Sequence, residues 1–272
     1  MPHDGPQGPD RPLVVSAATP PFRLLKQFNE PANQRSLDRR KRLVPNDARA
    51  FPGEDLAQAF ARALCAHRAT NFREVLEAFE FFAIARKHVR TPVVVDVCGG
   101  HGLVAVLFAV FQRTVDLAIV LDPKRTDSFD RILAAAAEVA PWTVGRVQYA
   151  RARIKHAPEQ VPREAGLVAV HACGQKTDRV LDLAIAHRAP VAVMPCCHPL
   201  RTSPAPFALK QALGHVAVDI DRTYRLEAAD FKVRWSGVSE RITRMHRVLL
   251  AEPARRAIAR QELTPSATPT AP

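Results

Sequence analysis

The chain has 272 residues, of which 47% are hydrophobic, and these figures fit one large globular domain or two smaller ones. No run of about 18 uncharged apolar residues occurs, which excludes a membrane-spanning helix, and no apolar run follows a basic start, so no secretory signal is expected. The five cysteines, two of them adjacent, do not suit a disulfide framework in so long a chain, and a reducing, cytoplasmic location is expected.

The charge balance is strongly basic. The formal net charge is +12, and 31 of the 39 basic residues are arginine. Guanidinium groups bind phosphate and stack on bases, so a nucleic-acid partner is one explanation of this excess. A bias toward arginine and alanine in the source proteome is the other explanation.

The distribution of proline, glycine and charge predicts four regions. Residues 1–20 hold many prolines and glycines without an apolar period, which predicts a disordered tail. Residues 21–53 are predicted to form a basic, proline-containing linker, because their prolines exclude a long helix. Residues 54–252 carry the periodic apolar patterns of a folded domain, and 253–272 form a C-terminal tail.

The folded domain begins with helical patterns and continues with alternating strands and helices. Apolar residues recur at spacings of three and four between Glu54 and Val89, which predicts two N-terminal helices, the second capped by Asn71. Beyond Pro92 short apolar runs alternate with helical patterns, as is typical of βαβ units in a parallel sheet. Strands are predicted at 93–95, 117–121, 144–150, 167–170, 191–194, 231–235 and 242–250, and helices at 103–111, 128–139, 178–187 and 207–213.

The last two predicted strands have no helix between them and should form an antiparallel pair. The sequence therefore predicts an α/β fold: a doubly wound, mostly parallel seven-stranded sheet that ends in an antiparallel strand pair, with N-terminal helices.

A glycine-rich loop, residues 96–102 (D-V-C-G-G-H-G), follows the first strand and opens a helix. Its three glycines let the backbone turn sharply and approach a ligand closely, and the amides at the start of the helix favour anionic or polar groups. The second strand ends twenty residues further on at Asp122, whose carboxylate could accept hydrogen bonds from both hydroxyls of a ribose.

Two cofactors suit this loop. Gly100-x-Gly102-x-x-Ala105 matches a dinucleotide fingerprint, which would make the protein a nicotinamide-dependent oxidoreductase. Asp96 favours S-adenosylmethionine instead, because a carboxylate would repel a pyrophosphate but attract an ammonium group. The antiparallel pair at the end of the sheet agrees with the second choice, and a glycine turn that binds no ligand is a third interpretation.

The sequence resembles the class I S-adenosylmethionine-dependent methyltransferases over about residues 71–252. Residues 96–102 and 121–128 resemble the first two cofactor motifs of that family. Residues 171–178 (H-A-C-G-Q-K-T-D) and 195–198 (P-C-C-H) resemble a methyltransferase-like group with H-x-C-G-x-x-T-D and P-C-C-H motifs. That group includes a tRNA 2′-O-methyltransferase and the glutathione S-transferase C-terminal domain-containing protein.

The resemblance implies a methyltransferase domain over residues 54–252 with S-adenosylmethionine as its cofactor. Residues 171–174 (H-A-C-G) stand where many nucleic-acid methyltransferases hold an Asn/Asp-Pro-Pro-aromatic motif that grips an amino group, which disfavours methylation of an exocyclic amine and leaves a hydroxyl target as one option. The residues expected to bind the cofactor are Asp96, Cys98, Gly99, Gly100, Gly102, Asp122, Pro123, His171 and Cys173.

Cysteines and histidines stand at the ends of three strands. Cys98 ends the first strand, His171 and Cys173 follow the fourth, and 196–198 (C-C-H) follow the fifth. The family's strand order makes these strands neighbours, so the side chains should meet at one edge of the sheet.

Three explanations of this grouping are open: small polarisable side chains that shape the pocket, a catalytic histidine, and a zinc site. The candidate catalytic residues are His171 and His198, each as a proton acceptor or as an orienter of the target. No metal is assigned, because the adjacent pair Cys196-Cys197 lacks the C-x-x-C spacing of structural zinc sites.

The charge and the resemblance together predict RNA, with tRNA as one candidate, as the substrate, and no membrane partner. The basic segment 35–42 and the arginines at 146, 151 and 153 are expected to contact phosphates. The alternatives are a methyltransferase of small molecules or proteins, the nicotinamide-dependent oxidoreductase, and a nucleic-acid-binding protein of this fold without activity.

Overall fold

The computed structural model describes residues 20–254, and its core is one seven-stranded sheet with the strand order β3-β2-β1-β4-β5-β7-β6. The first five strands are parallel, and β7 runs antiparallel to both β5 and β6. The strands are β1 (Val93–Val97), β2 (Leu117–Leu121), β3 (Val147–Ala150), β4 (Gly166–Val170), β5 (Val191–Met194), β6 (Phe231–Gly237) and β7 (Arg247–Pro253). The predicted fold, including the antiparallel pair, is confirmed.

Helices cover both faces of this sheet. They are α1 (Leu56–Ala66), α2 (Phe72–Ala85), α3 (Leu103–Phe111), α4 (Asp127–Val139), α5 (Ala157–Gln160), α6 (Lys176–His187), α7 (Phe207–Leu213) and α8 (His215–Ala228). Asn71 caps α2 as predicted, its side chain accepting a hydrogen bond from the Glu74 amide. Among the helices of residues 20–254, none has the length and apolarity that crossing a membrane requires.

Alternate residues of the strands face two separate hydrophobic cores. Val94 of β1 points toward the core formed with α1, α2, α3 and α4, whereas Val95 points toward the core formed with α5, α6 and α8. Asp96 shares the face of Val94, the side on which α2 and α3 lie. The alternation therefore directs this one acidic side chain of β1 toward the helices that later form the site.

Residues 21–53, predicted to be a linker, pack against α1 and α2 in the structure. Their buried side chains are Phe22, Leu25, Phe28, Leu37, Leu43 and Phe51. The Glu80 carboxylate, buried in α2, accepts hydrogen bonds from the backbone amides of Arg23 (2.9 Å) and Leu24 (3.1 Å). The prolines limit helices here to short 3₁₀ turns, so the buried residues follow no period that a sequence pattern can show.

The division of the chain into domains stays a prediction. The disordered tail predicted for 1–20 lies almost entirely outside the described residues, and so does most of the tail predicted for 253–272.

Several elements differ from the predicted ones. The short helix α5 is not predicted, and β3 begins at Val147 rather than at residue 144. Helix α8 is not predicted, because Val216, Val218 and Ile220 alternate with other residues and imitate a strand at the start of this helix. Strand β7 begins at Arg247 rather than at residue 242, because Ile242 is buried in the loop that precedes the strand. That loop lies at the carboxyl edge of the sheet, beside the site described next.

Candidate active site

Three adjoining cavities open at the carboxyl edge of the parallel strands, and we call them together the cleft. Their volumes are about 690, 190 and 800 Å³, and Glu74 of α2 lines all three. Glu77 and His171 line the first and the second, and Gly100 and His101 line the second and the third. Ligands of doubly wound folds bind at this edge, so the cleft is the candidate active site.

Asp96 forms the floor of the 190 Å³ cavity. Its side chain is almost fully buried, and its Oδ1 atom has no hydrogen-bond partner among the described residues. Burial raises its pKa to about 7, an effect that the charge of His101 partly offsets. A Cβ on Gly99 would lie 2.6 Å from Asp96 Cγ, so only glycine fits there. A buried carboxylate with a free oxygen is suited to bind a cationic ligand.

Asp122 holds the glycine loop close to the loop that follows β2. Its Oδ2 atom accepts a hydrogen bond from the Gly100 amide (3.3 Å), and its Oδ1 accepts one from the Lys124 amide (3.0 Å). A carboxylate has about four acceptor positions, so two of them are left for a ligand such as a ribose. The Tyr149 hydroxyl joins the same loops, lying 2.9 Å from the Gly100 carbonyl oxygen and 2.7 Å from that of Lys124.

His171 follows β4 directly and is oriented by a carboxylate of α2. Its backbone has φ +61°, a left-handed conformation that is costly for a residue with a Cβ. Its Nε2 lies 2.8 Å from Oε2 of Glu77, which is 2% exposed. Because a carboxylate only accepts hydrogen bonds, Nε2 carries a proton, and a neutral ring in this tautomer has its lone pair on Nδ1. One-third of the His171 side chain is exposed, so Nδ1 is available to a ligand.

Glu77 is itself held in place from the other side. Its Oε1 accepts a hydrogen bond from Arg73 Nε (2.8 Å), and Arg73 Nη2 donates to the Thr243 hydroxyl (2.8 Å). A chain of hydrogen bonds therefore connects the loop before β7 to His171 through one turn of α2. Hydrogen bonds to the partner of a histidine help to fix the orientation of its ring.

Glu74 is the second carboxylate that α2 places in the cleft. Its Oε2 lies 3.1 Å from His101 Nε2 and also accepts a hydrogen bond from the Thr70 hydroxyl. Burial alone would raise its pKa, but the hydrogen bonds and the charge of His101 lower it to about 2. Glu74 therefore stays ionised and keeps His101 at the glycine loop.

His198 occupies a different environment, which we call the buried polar cluster and which comprises Asp178, His198, Asp219, Arg222 and Arg247. His198 Nε2 lies 2.9 Å from Asp219 Oδ1, and both side chains are less than 5% exposed. Arg222 and Arg247 also bind the Asp219 carboxylate, and Arg222 forms a bidentate pair with Asp178. Burial would raise the pKa of Asp219, but His198 and Arg247 lower it below its usual value.

The residues predicted for the site fall into two groups. Those that line the cleft are Asp96, Cys98, Gly99, Gly100 and His171. Those that do not line these three cavities are Gly102, Asp122, Pro123, Cys173 and His198. A Cβ on Gly102 would lie 2.5 Å from Val120 Cγ2, so this glycine lets α3 pack closely on β2.

The sequence analysis does not predict that acidic residues of α2 line the site, because it treats this helix as a packing element. A signal was present: Glu74, Glu77 and Glu80 recur at a spacing of three in a helix that is otherwise mostly buried. Charged residues on a helix face that is covered on all sides must have partners or a function.

The arginines of the cleft are only partly those predicted. Arg40 and Arg42 of the basic segment line it, as do Arg241 and Arg244 of the loop before β7, which were not predicted. The arginines at 146, 151 and 153 do not line these cavities.

About half of the chain matches a known protein family. Residues 68–202, which contain the glycine loop and the loops after β4 and β5, match a family model described as a methyltransferase domain. The chain is a class I S-adenosylmethionine-dependent methyltransferase. The family match decides between the two cofactors that suit the glycine loop, and it replaces the dinucleotide interpretation of Gly100-x-Gly102-x-x-Ala105 with S-adenosylmethionine.

Several solved structures are similar to the methyltransferase in fold, at low sequence identity. The 16S rRNA (adenine(1408)-N(1))-methyltransferase from Catenulisporales acidiphilia is 20% identical, with 64% of this chain and 89% of that chain covered and a TM-score of 0.36. Cofactor-bound Rv0187 from MTB is 14% identical, with coverages of 78% and 98% and a TM-score of 0.47. A methyltransferase from Geobacter sulfurreducens is 15% identical, with coverages of 75% and 92% and a TM-score of 0.43.

A shared substrate does not follow at such identities and scores. No curated protein matches the sequence of the methyltransferase at a significant level.

Proposed function

We propose that this methyltransferase transfers the methyl group of S-adenosylmethionine to a hydroxyl group of RNA, with tRNA as the first RNA to test. The observation that carries the proposal is the pairing of His171 with Glu77 beside the free oxygen of Asp96, in one cleft. The choice of tRNA rests on the resemblance of residues 171–178 and 195–198 to the motifs of a tRNA 2′-O-methyltransferase.

The cofactor is proposed to lie along the ends of β1 and β2. Asp96 would pair with its ammonium group and Asp122 would accept hydrogen bonds from its ribose, since both carboxylates keep free acceptor positions. S-adenosylmethionine supplies a methyl group on a sulfonium, which is a good leaving system. The other residues proposed to bind the cofactor are Cys98, Gly99, Gly100, Gly102, Pro123, His171 and Cys173.

His171 is proposed to accept the proton of the target hydroxyl. The Glu77 carboxylate holds the proton of Nε2, which leaves the Nδ1 lone pair for the target and stabilises the imidazolium that results. His198, the second candidate, is proposed to stabilise the fold instead, since its ring is buried against Asp219.

Unpaired arginines support RNA as the substrate. Arg40, Arg241 and Arg244 are exposed on the wall of the 690 Å³ cavity, and the arginine–carboxylate ion pairs found within residues 20–254 all involve other arginines. The acids of this cavity are mostly engaged, since Glu74 and Glu77 bind histidines or Arg73. Free guanidinium groups beside a reaction site are suited to bind the phosphates of a nucleic acid.

The cytoplasm is the proposed location of the enzyme. The five cysteines carry free thiols in the structure, and free thiols persist in a reducing compartment.

Methyl transfer from tritium-labelled S-adenosylmethionine into separated RNA, protein and small-molecule fractions of a cell extract tests the proposal. Label in the RNA fraction is expected, and tRNA is examined first within it.

An Arg241→Ala/Arg244→Ala double variant should bind RNA more weakly. Its slope of log binding constant against log salt concentration should be smaller by about two, because each arginine that pairs with a phosphate contributes about one unit to that slope. Arg163→Ala, at an exposed position elsewhere, is the matched control.

Label only in the protein or small-molecule fraction would reject RNA while leaving the methyltransferase in place. Equal salt slopes for the double variant and for Arg163→Ala would reject the loop before β7 as the RNA-binding segment.

A further inference from the structure

Three thiol groups converge beside the cleft, at the ends of β4 and β5. The sulfur atoms of Cys173, Cys196 and Cys197 all lie within 4.8 Å of one another, and those of Cys173 and Cys196 are 2.7 Å apart. The two strands are parallel neighbours, with Val170 opposite Met194, so the loops that leave them run side by side. The sheet therefore assembles this group from residues that are 23 positions apart in the chain.

The surroundings of these sulfurs suit thiolates that are bound to a cation. The Gly174 amide donates a hydrogen bond to Cys197 Sγ (2.9 Å), an interaction that stabilises negative charge on sulfur. A metal ion at their centre would hold the three sulfurs as thiolates and release their protons.

The distances agree with one metal ion. Thiolate sulfurs lie about 2.3 Å from zinc, so neighbouring sulfurs of a tetrahedral site are separated by roughly 3.8 Å. The Cys173–Cys196 separation of 2.7 Å is shorter than that value, and no two of the three sulfurs are more than 4.8 Å apart. Cys173 is exposed, so its sulfur is free to move outward to the tetrahedral distance.

We propose that Cys173, Cys196 and Cys197 bind one thiophilic metal ion, Zn²⁺ in the cell, and so connect the loop after β4 to the loop after β5. Soft thiolates select zinc over the hard cations, and three protein ligands leave a fourth position for water. The adjacent cysteines do not follow C-x-x-C spacing because the third ligand comes from a neighbouring strand. His171 lies two residues before Cys173, so the ion would fix the loop that carries it.

Metal content of the purified, reduced full-length chain tests this site. The chain is incubated with Zn²⁺ or Co²⁺, passed through a desalting column, and measured by mass spectrometry of the metal and by the sulfur-to-cobalt absorption band. About one ion per chain and a clear band are expected for the wild type. Cys173→Ala and Cys197→Ala should lose most of both signals, whereas Cys65→Ala, at a buried thiol of α1, should keep them.

Circular dichroism checks that each variant is folded, and Cys173→Ala is the decisive one because its side chain is exposed. A reduced wild-type chain that retains no metal would overturn the proposal, and so would equal metal content in Cys173→Ala and Cys65→Ala. A Cys173–Cys196 disulfide that forms in air, with no metal uptake after its reduction, would also overturn it. These outcomes do not depend on methyl transfer.

Discussion

The cleft and the buried polar cluster each contain a histidine that follows a parallel strand and binds a carboxylate, yet the two histidines differ in what they can do. His171 pairs with one glutamate, keeps one-third of its side chain exposed and leaves Nδ1 to a ligand. His198 is 3% exposed and pairs with an aspartate that also binds two arginines. Exposure and the number of partners, rather than the position at a strand end, therefore distinguish the two histidines.

The carboxylates of the two regions differ in the same way. Asp219 has three partners, two of them arginines, and its pKa is lowered below the usual value even though burial opposes this. Asp96 has an oxygen without a partner, and burial raises its pKa to about 7. Residues of the cleft should therefore affect binding and catalysis at little cost in stability, whereas residues of the buried polar cluster should affect stability.

The largest effect is expected from His171→Ala. Removal of the proton acceptor should lower kcat for methyl transfer by about 10²- to 10⁴-fold, with little change in the free energy of unfolding. In His198→Ala the free energy of unfolding should fall by about 1–3 kcal/mol, whereas kcat of the folded fraction should stay close to that of the wild type. Steady-state kinetics and urea unfolding of both variants check this, with exposed His156→Ala as the control. Similar kinetic losses for His171→Ala and His198→Ala would contradict the comparison.

Asp219→Ala should produce the largest loss of stability. It leaves His198, Arg222 and Arg247 without their shared partner, and breaking a buried charge pair costs about 3–5 kcal/mol. Urea unfolding measures the loss against Asp221→Ala, a change on the same helix at a half-buried position. If both variants unfold at the same urea concentration, Asp219 does not hold the cluster together.

The position of the cleft was predictable from the sequence, but the partners of His171 were not. Asp96 ends a run of valines, glycines come directly after it, and Asp122 follows the next apolar run, so these are local signals. Glu77 reaches His171 only because α2 packs across the end of β4, and that packing is a tertiary contact. A helix of apolar residues predicts burial without predicting which strand end it will cover.

The burial of His198 was unpredictable for a related reason. Its partner Asp219 lies on α8, a helix whose first turns alternate like a strand, and the sequence predicts no helix there. Without that helix, His171 and His198 carry the same signal: a histidine that follows a strand, within two residues of a cysteine.

Asp122→Ala extends these tests to a carboxylate beside the cleft. Loss of the charged hydrogen bonds to the ribose should weaken S-adenosylmethionine binding by about 1–3 kcal/mol. The Gly100 and Lys124 amides can bind water in its place, so stability should change little. Isothermal titration measures the affinity, and an unchanged dissociation constant would reject the assignment of Asp122 to the ribose.

The smallest effect is a dependence of cofactor affinity on pH. Asp96 has a pKa of about 7 in the folded protein, so it gains a proton as the pH is lowered through that value and loses the charge that attracts an ammonium group. Affinity should fall on acidification by up to about tenfold per pH unit. Titrations with S-adenosylmethionine across this pH range should show an affinity that falls on acidification in the wild type and stays constant in Asp96→Asn. A pH dependence that persists in the variant would point to His101 or another group.

Binding of S-adenosylmethionine to the wild type and to Asp96→Asn, measured by isothermal titration at pH 8, tests most directly whether the cleft holds the cofactor through its buried carboxylate. The wild type should bind, and Asp96→Asn should lose about 1.5–3 kcal/mol of affinity without losing stability, because a hydrogen bond to a charged group is removed. The exposed Asp116→Asn should bind like the wild type. No binding by the wild type, or equal binding by Asp96→Asn, would contradict the account.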